Sequence, residues 1–359
     1  MSVSDRTALE SAAFFELGGR PVSAVAFGSG HINDTFALTV EKPASDAFVR
    51  FVLQRINPHV FPDPLAVMDN IVRVTRHLRG KYAILPDVER RVLTVIPTKD
   101  AKPCRFDEEG ACWRCYRMIE GAGTVDAVRE PAQARTASFA FARFARDLSD
   151  LPPPRLHETI PAFHDTPSRL RTLDAVAAED RLGRAASAAR ELAEIDAMRH
   201  LASPITDAFA AGRIPERITH NDTKINNVML DSATGEGICV VDLDTVMPGL
   251  ALYDFGDLVR VAANPAREDS GGSNRLEARR DMYEACAEGF LEGFGGYLTA
   301  HEIGLMPIAG AVITFELAVR FLSDYLDGDR YFKTSRPGHN LDRARTQIAL
   351  ARSLEKIAE

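Results

Sequence analysis

The most constraining feature of the chain is the polar octapeptide His220-Asn221-Asp222-Thr223-Lys224-Ile225-Asn226-Asn227, followed at once by two β-prone tracts. Val228-Met229-Leu230 and Ile238-Cys239-Val240-Val241 read as strands joined by the turn Asp231-Ser232-Ala233-Thr234-Gly235-Glu236-Gly237. Asn227 immediately precedes this hairpin and Asp242 leaves it, so one short local structure ties both to the loop that holds Asp222.

The spacing suits phosphoryl transfer. That chemistry needs a carboxylate facing the acceptor hydroxyl and hard oxygen ligands for magnesium near the β- and γ-phosphates. In H-x-D-x-x-x-x-N, Asp222 faces the acceptor while Asn227 turns back to the metal, and Asp242 is the second protein ligand; magnesium keeps several waters, so two such oxygens suffice. Lys224 occupies the place of the lysine in the protein-kinase loop H-R-D-L-K-x-x-N and is expected to neutralise the transferring group. A polar turn is the structural alternative, since His, Asn, Asp and Thr are common turn residues. The second aspartate at a strand exit argues against it. Asp222, Asn227 and Asp242 are expected to converge on one metal–phosphate centre. The Asp254-Phe255-Gly256 triplet follows Met247-Pro248-Gly249 instead of leaving a hairpin, and Asp254 is expected to cap a helix beginning near Phe255.

With 359 residues the chain can form two lobes, and 45% hydrophobic content is ordinary for a globular protein. A net charge of −8 and a pI near 5.7 argue against a general nucleic-acid or anionic-membrane surface. An anionic nucleotide must then be held by local positive charge and backbone amides. No apolar run approaches the roughly twenty residues that span a bilayer, and MSVSDRTALE lacks the regions of a signal peptide, so a cytoplasmic location is expected. The expected partners are a small-molecule acceptor and a nucleotide, with a monomer or weak dimer as the assembly. Five cysteines do not suggest a disulfide framework, and Cys112-Trp113-Arg114-Cys115 lacks a second pair or a nearby histidine to complete a zinc site, so packing is expected there.

An α+β architecture follows from the pattern, with a small mixed N-terminal lobe over 1–120 and a larger, mainly helical C-terminal lobe over 121–359. Residues 22–27, 35–40 and 48–56 read as strands, 64–78 as an amphipathic helix, and 91–97 and 113–119 as further strands. Glu120-Gly121-Ala122-Gly123 marks the hinge. Helices are expected over 131–148, 168–177, 184–201, 277–297, 301–325 and 341–358, and a surface loop at Ser270-Gly271-Gly272-Ser273. The glycine segment Gly28-Ser29-Gly30-His31-Ile32-Asn33-Asp34 lies between two strands, where a turn could bring backbone amides to phosphate; an ordinary hairpin turn is the alternative. A kinase lobe carries a lysine on the next strand, yet here Gln54 stands in that place and Arg55 points to the other face.

Together these segments resemble the aminoglycoside phosphotransferase and choline kinase superfamily, whose members share the bilobal kinase fold and phosphorylate small hydroxylated molecules. Within it the chain is most similar to the N-acetylhexosamine 1-kinases. The resemblance is carried by residues 28–35, 53–57, 60–63, 163–167, 219–227, 242–245, 247–249, 254–257 and 320–326. It implies transfer of the γ-phosphate of ATP, with Mg2+, to the anomeric hydroxyl of N-acetylglucosamine or N-acetylgalactosamine. Asp222 and Lys224 would be catalytic, and Asn227 and Asp242 would hold the metal. Gly28, Ser29, Gly30, His31, Gln54 and Glu120 would line the nucleotide, and Asp34, Asp222, Arg320 and Tyr331 the sugar. Glutamine at the position of Gln54 is usual in that group. From residues alone, an ion pair of Arg320 with Asp324 is the structural alternative. An aminoglycoside or amino-alcohol kinase of the same fold, or a non-catalytic nucleotide-binding regulator, are the competing readings.

Overall fold

Alternation of apolar and polar residues sets the first part of the chain as sheet, and longer apolar stripes set the rest as helix. The computed structural model describes residues 4–28, 32–43, 47–265 and 276–358. In chain order the first elements are α1 (Asp5–Ala12), β1 (Arg20–Ala26), β2 (Asp34–Glu41), β3 (Phe48–Arg55), α2 (Pro64–Lys81), α3 (Val88–Arg91), β4 (Val95–Ile96), β5 (Arg105–Phe106), β6 (Cys112–Arg117) and β7 (Ala122–Gly123). There follow α4 (Pro131–Asp147), α5 (Thr166–Glu179), α6 (Ala189–Ala197), α7 (Pro204–Ala210), β8 (Arg217–Thr219), β9 (Val228–Asp231), β10 (Gly237–Val240), β11 (Met247–Gly249), α8 (Ala251–Ala262), α9 (Arg280–Phe294), α10 (Ala300–Asp327) and α11 (His339–Ala358). The expected mixed α+β fold, with an N-terminal sheet and a mainly helical C-terminal part, is borne out.

The chain divides into two compact units. The first comprises Met1–Gly123, Asp150–Pro161 and Met229–Met247, and the second Thr124–Ser149, Ala162–Val228 and Pro248–Glu359.

In the first unit the sheet runs β1-β2-β3-β6-β4, with β5 also on β6. The register sets Thr35 opposite Gln54 and Gln54 opposite Arg114. Side chains alternate across a strand, so Leu53, Trp113 and Cys115 join Ala8, Ala12, Phe36 and Leu38 in one core, while Gln54 and Arg114 face the other way. Helix α2 begins with Pro64, capped by the Asp63 carboxylate, which accepts from the Ala66 N–H at 3.0 Å. The expected strand over 91–97 shortens to Val95–Ile96. Arg91 bonds Asp87 at 2.8 Å, closing a helical turn that removes its first residue from the ladder. A smaller sheet, β10-β9-β7, packs around Ile119, Ile238 and Cys239.

The second unit is built on helices that approach closely through glycine. A Cβ on Gly256 would lie 2.5 Å from the Ala309 carbonyl oxygen, and one on Gly310 2.7 Å from Val259, so α8 and α10 meet without room for another atom. Thr299 and Glu302 form a reciprocal capping box at the start of α10. The expected helix over 184–201 breaks into a 3₁₀ turn, α6 and a second 3₁₀ turn; the Ser187 hydroxyl donates to the Arg184 carbonyl at 2.7 Å, a local bond that competes with helix. Helix α10 also corrects the expectation that no segment is long and apolar enough to cross a membrane. Its length and composition qualify, and 72% of its apolar window is buried inside the protein.

Candidate active site

The loop carrying Asp222 is fixed from below by helix α8. The buried Asp254 carboxylate accepts from the backbone N–H of His220 at 2.8 Å and of Asn221 at 2.7 Å. One turn on, Asp257 accepts from the Thr223 N–H at 2.9 Å and pairs with Arg260, while the Thr223 hydroxyl donates to the Asp254 carbonyl at 2.7 Å. The N–H groups on both sides of Asp222 are therefore held by side chains three residues apart on one helix face. This corrects the expectation for Asp254: it lies inside α8, and what it caps is the loop. Burial pushes its carboxyl up to about 6. Asn221 adopts a left-handed backbone at φ 65°. The His220 ring is buried in T-shaped contact with the rings of Phe141 and Phe144. Gly249 closes the arrangement, because a Cβ there would overlap the Thr219 hydroxyl and sit 2.9 Å from the Asn221 amide oxygen.

Against this fixed backbone the Asp222 side chain meets two of its expected partners. Lys224 Nζ stands 3.0 Å from one carboxylate oxygen, and Asn227 Nδ2 donates to the other at 3.3 Å and to the Asp222 carbonyl at 2.9 Å. Burial would raise the Asp222 carboxyl, but Lys224, with His220 and Arg260 beyond it, holds it below the ordinary value. Lys224 is in turn held protonated, chiefly by Asp222. The Asn227 Oδ1 takes no hydrogen bond among the described residues and could serve a metal ion.

A second cluster adjoins the loop within the same unit. His164 Nε2 lies 3.4 Å from the Asn221 carbonyl, and its Nδ1 bonds the buried Glu316 at 3.0 Å, which also takes the Thr166 hydroxyl at 2.7 Å. Next to His164, the Phe163 ring faces the Arg320 guanidinium at 5.4 Å, and Tyr331 and Phe332 surround it at 5.7 and 5.5 Å. Arg320 has no hydrogen bond or ion pair among the described residues. The ion pair with Asp324 is absent because that carboxylate is occupied by the backbone N–H groups of Arg330, Tyr331 and Phe332 and by Asn340. Arg169 donates only long bonds, 3.4 Å each, to the Ala162 and Phe163 carbonyls, and its Nε is buried without an acceptor.

The remaining expected residues lie in the first unit. Asp242 stands in a left-handed conformation, φ 58° and ψ 58°, with an exposed side chain, and precedes a buried 3₁₀ turn, Leu243–Thr245. Asp244 is buried and paired with Arg114. Gln54 donates to the Thr35 hydroxyl at 3.0 Å and accepts from Arg114 Nε at 3.0 Å. Asp34 pairs with Arg55 on the neighbouring strand at 2.7 Å, and Glu120 pairs with Arg50. Gly28 has a positive φ of 82°; Ser29, Gly30 and His31 fall outside the described residues. Two residues to which the sequence reading gave no role, Asp257 and Arg114, turn out to fix the polar elements. For Asp257 a signal existed in its helical spacing from Asp254.

The sequence model of the phosphotransferase enzyme family APH matches residues 23–296. The chain belongs to this family. Among solved structures, this phosphotransferase is similar to spectinomycin phosphotransferase APH(9)-Ia in complex with ADP and spectinomycin, at 13% identity and TM-score 0.60, covering 99% of this chain and 100% of that one. It is also similar to an aminoglycoside phosphotransferase from Alicyclobacillus acidocaldarius, at 14% identity and TM-score 0.60, covering 100% and 95%. A third is the microcompartment-associated aminopropanol kinase, at 13% identity and TM-score 0.58, covering 98% and 96%. These likenesses establish the fold of the phosphotransferase and leave its acceptor to be argued from its own residues.

Proposed function

We propose that this phosphotransferase is an ATP- and Mg2+-dependent kinase that phosphorylates the anomeric hydroxyl of an N-acetylhexosamine, giving the sugar 1-phosphate. The observation that carries the kinase reading is the Asp222 carboxylate held between Lys224 and Asn227 on a loop whose flanking N–H groups are fixed by Asp254 and Asp257. Bound Mg–ATP would supply the phosphoryl group. Asn227 and Asp242 offer the hard oxygens that would hold the metal.

Asp222 remains ionised at neutral pH because Lys224 lowers its pKa, so it orients the acceptor hydroxyl and takes its proton late. An anomeric hydroxyl is more acidic than an ordinary alcohol, which suits a weak base. Lys224 offsets charge that grows on the transferring group. On the acceptor side, Arg320 lies beside the rings of Phe163, Tyr331 and Phe332, and the buried Glu316 carboxylate acts on both Arg320 and Arg169. Aromatic rings beside a guanidinium suit a neutral sugar with an acyl oxygen. The same-fold alternative gains support from the acceptors named for the structural relatives, spectinomycin and aminopropanol.

The deciding assay offers ATP with N-acetylglucosamine, N-acetylgalactosamine, glucose, galactose, spectinomycin and aminopropanol, with product position read by NMR. We expect phosphate on the anomeric oxygen of an N-acetylated sugar and a kcat about 10²- to 10⁴-fold lower in Asp222→Asn. Turnover confined to the amines would replace the sugar reading, and unchanged turnover in Asp222→Asn would remove that residue from its role.

A further inference from the structure

In kinase-like lobes a strand lysine normally supplies positive charge at the place taken here by Gln54. In this protein the charge sits one strand away. Arg114, only 1% exposed on β6, sends Nε to Gln54 and both terminal nitrogens to the two oxygens of Asp244, the Nη2 bond measuring 3.0 Å. Each of its three nitrogens therefore has a protein acceptor. The Asp244 carboxylate also takes Asn33 Nδ2 at 2.7 Å, while its carbonyl accepts from the Thr159 hydroxyl at 2.8 Å. Asn70 donates to the Val246 carbonyl at 3.1 Å. The turn is thus held at Asp244 and just beyond it at Val246, and the exposed residue at its head is Asp242 in a left-handed backbone.

A buried Arg–Asp pair is seldom a net gain over apolar side chains of the same volume, because two charges must be removed from water. Its directional bonds can do what apolar packing does not, which is to fix the rotation of a turn. We propose that Arg114 is the positioning residue for the metal-ligating turn: it replaces the strand lysine by aligning Asp242 through Asp244, without touching phosphate itself. Asn33 extends the same alignment to the segment that follows the Gly28 turn, since its Oδ1 also accepts the Asn57 N–H at 3.0 Å. The inference rests on the reading of Asp242 as a metal ligand, and its test separates the two.

The experiment measures Mn2+ affinity by electron paramagnetic resonance in the presence of ADP, beside thermal unfolding, for the full chain and three variants. Asp242→Ala checks the ligand. The double variant Arg114→Met with Asp244→Leu removes both charges and is expected to stay folded near the wild-type Tm, with Mn2+ affinity lowered roughly 10- to 100-fold, the range for a residue that orients a ligand. Arg114→Lys keeps the charge without the fork geometry and is expected to fall in between. Wild-type Mn2+ affinity in the folded double variant or in Arg114→Lys, with Asp242→Ala impaired, would show that Arg114 serves folding only and would overturn the inference. Wild-type affinity in Asp242→Ala would instead overturn the ligand reading beneath it.

Discussion

Two buried aspartates set two less buried ones, by different means. In the helical unit Asp254, 2% exposed, steadies the loop of Asp222 through neutral donors, the backbone N–H groups of His220 and Asn221. In the sheet unit Asp244, also 2% exposed, steadies the turn of Asp242 through the Arg114 guanidinium and the Asn33 amide. Neutral donors offset burial only in part, so burial still pushes the Asp254 carboxyl up to about 6. A cation matches the charge but makes each partner dependent on the other. The lesson is that the anchor of a functional carboxylate can be proton-sensitive or partner-sensitive, and the chemistry of its donors decides which.

The sharpest way to break this contrast is Asp244→Leu alone. It strands the buried Arg114 charge and should destabilise the fold by about 3–5 kcal/mol in urea unfolding, most of it restored by adding Arg114→Met. A single-variant loss under about 1 kcal/mol would mean that the pair is not mutually dependent. Next comes Asp254→Asn, read as stability against pH. The folded pKa is raised, from an ordinary value of 3.8 to about 6, so the stabilising contribution is complete below pH 3.8 and disappears as pH rises through 6. The stability of wild type relative to Asp254→Asn should therefore fall by about 3 kcal/mol between pH 4 and pH 7, and a difference that is flat with pH would remove the proton-sensitive half of the comparison. The smallest effect expected is that of Gly249→Ala, whose Cβ would overlap Thr219 and lie 2.9 Å from Asn221. A loss of about 1–3 kcal/mol in thermal unfolding is expected, together with lower kcat; an unchanged Tm would mean that the loop has slack.

Much of this was legible in the sequence because it is local. The octapeptide, the hairpin after it and the strand alternation of β2 and β3 depend on neighbours a few residues apart, and each forms where periodicity put it. The anchors were not legible for the opposite reason. Nothing near Arg114 announces Asp244, and Cys112-Trp113-Arg114-Cys115 reads as packing because three of its four side chains are core. Asp254 was misread through its true neighbour, helix α8: a carboxylate ahead of an apolar run looks like a cap, and only the tertiary return of the loop shows what it binds. The Arg320–Asp324 pair failed similarly, since helical spacing permits it while three backbone N–H groups downstream claim the carboxylate first.

The contact of Gly256 with the Ala309 carbonyl has a consequence for how specificity can change. Helix α10 backs the helix that steadies Asp222 and, eleven residues further along, about 16 Å, presents Arg320. An axial slide of α10 would move Arg320 together with the helix that steadies Asp222, the two residues proposed to face the acceptor and to take its proton. On the proposed reading the helix works as a ruler: substitutions at its far end would retune the acceptor while the spacing to Asp222 stays calibrated.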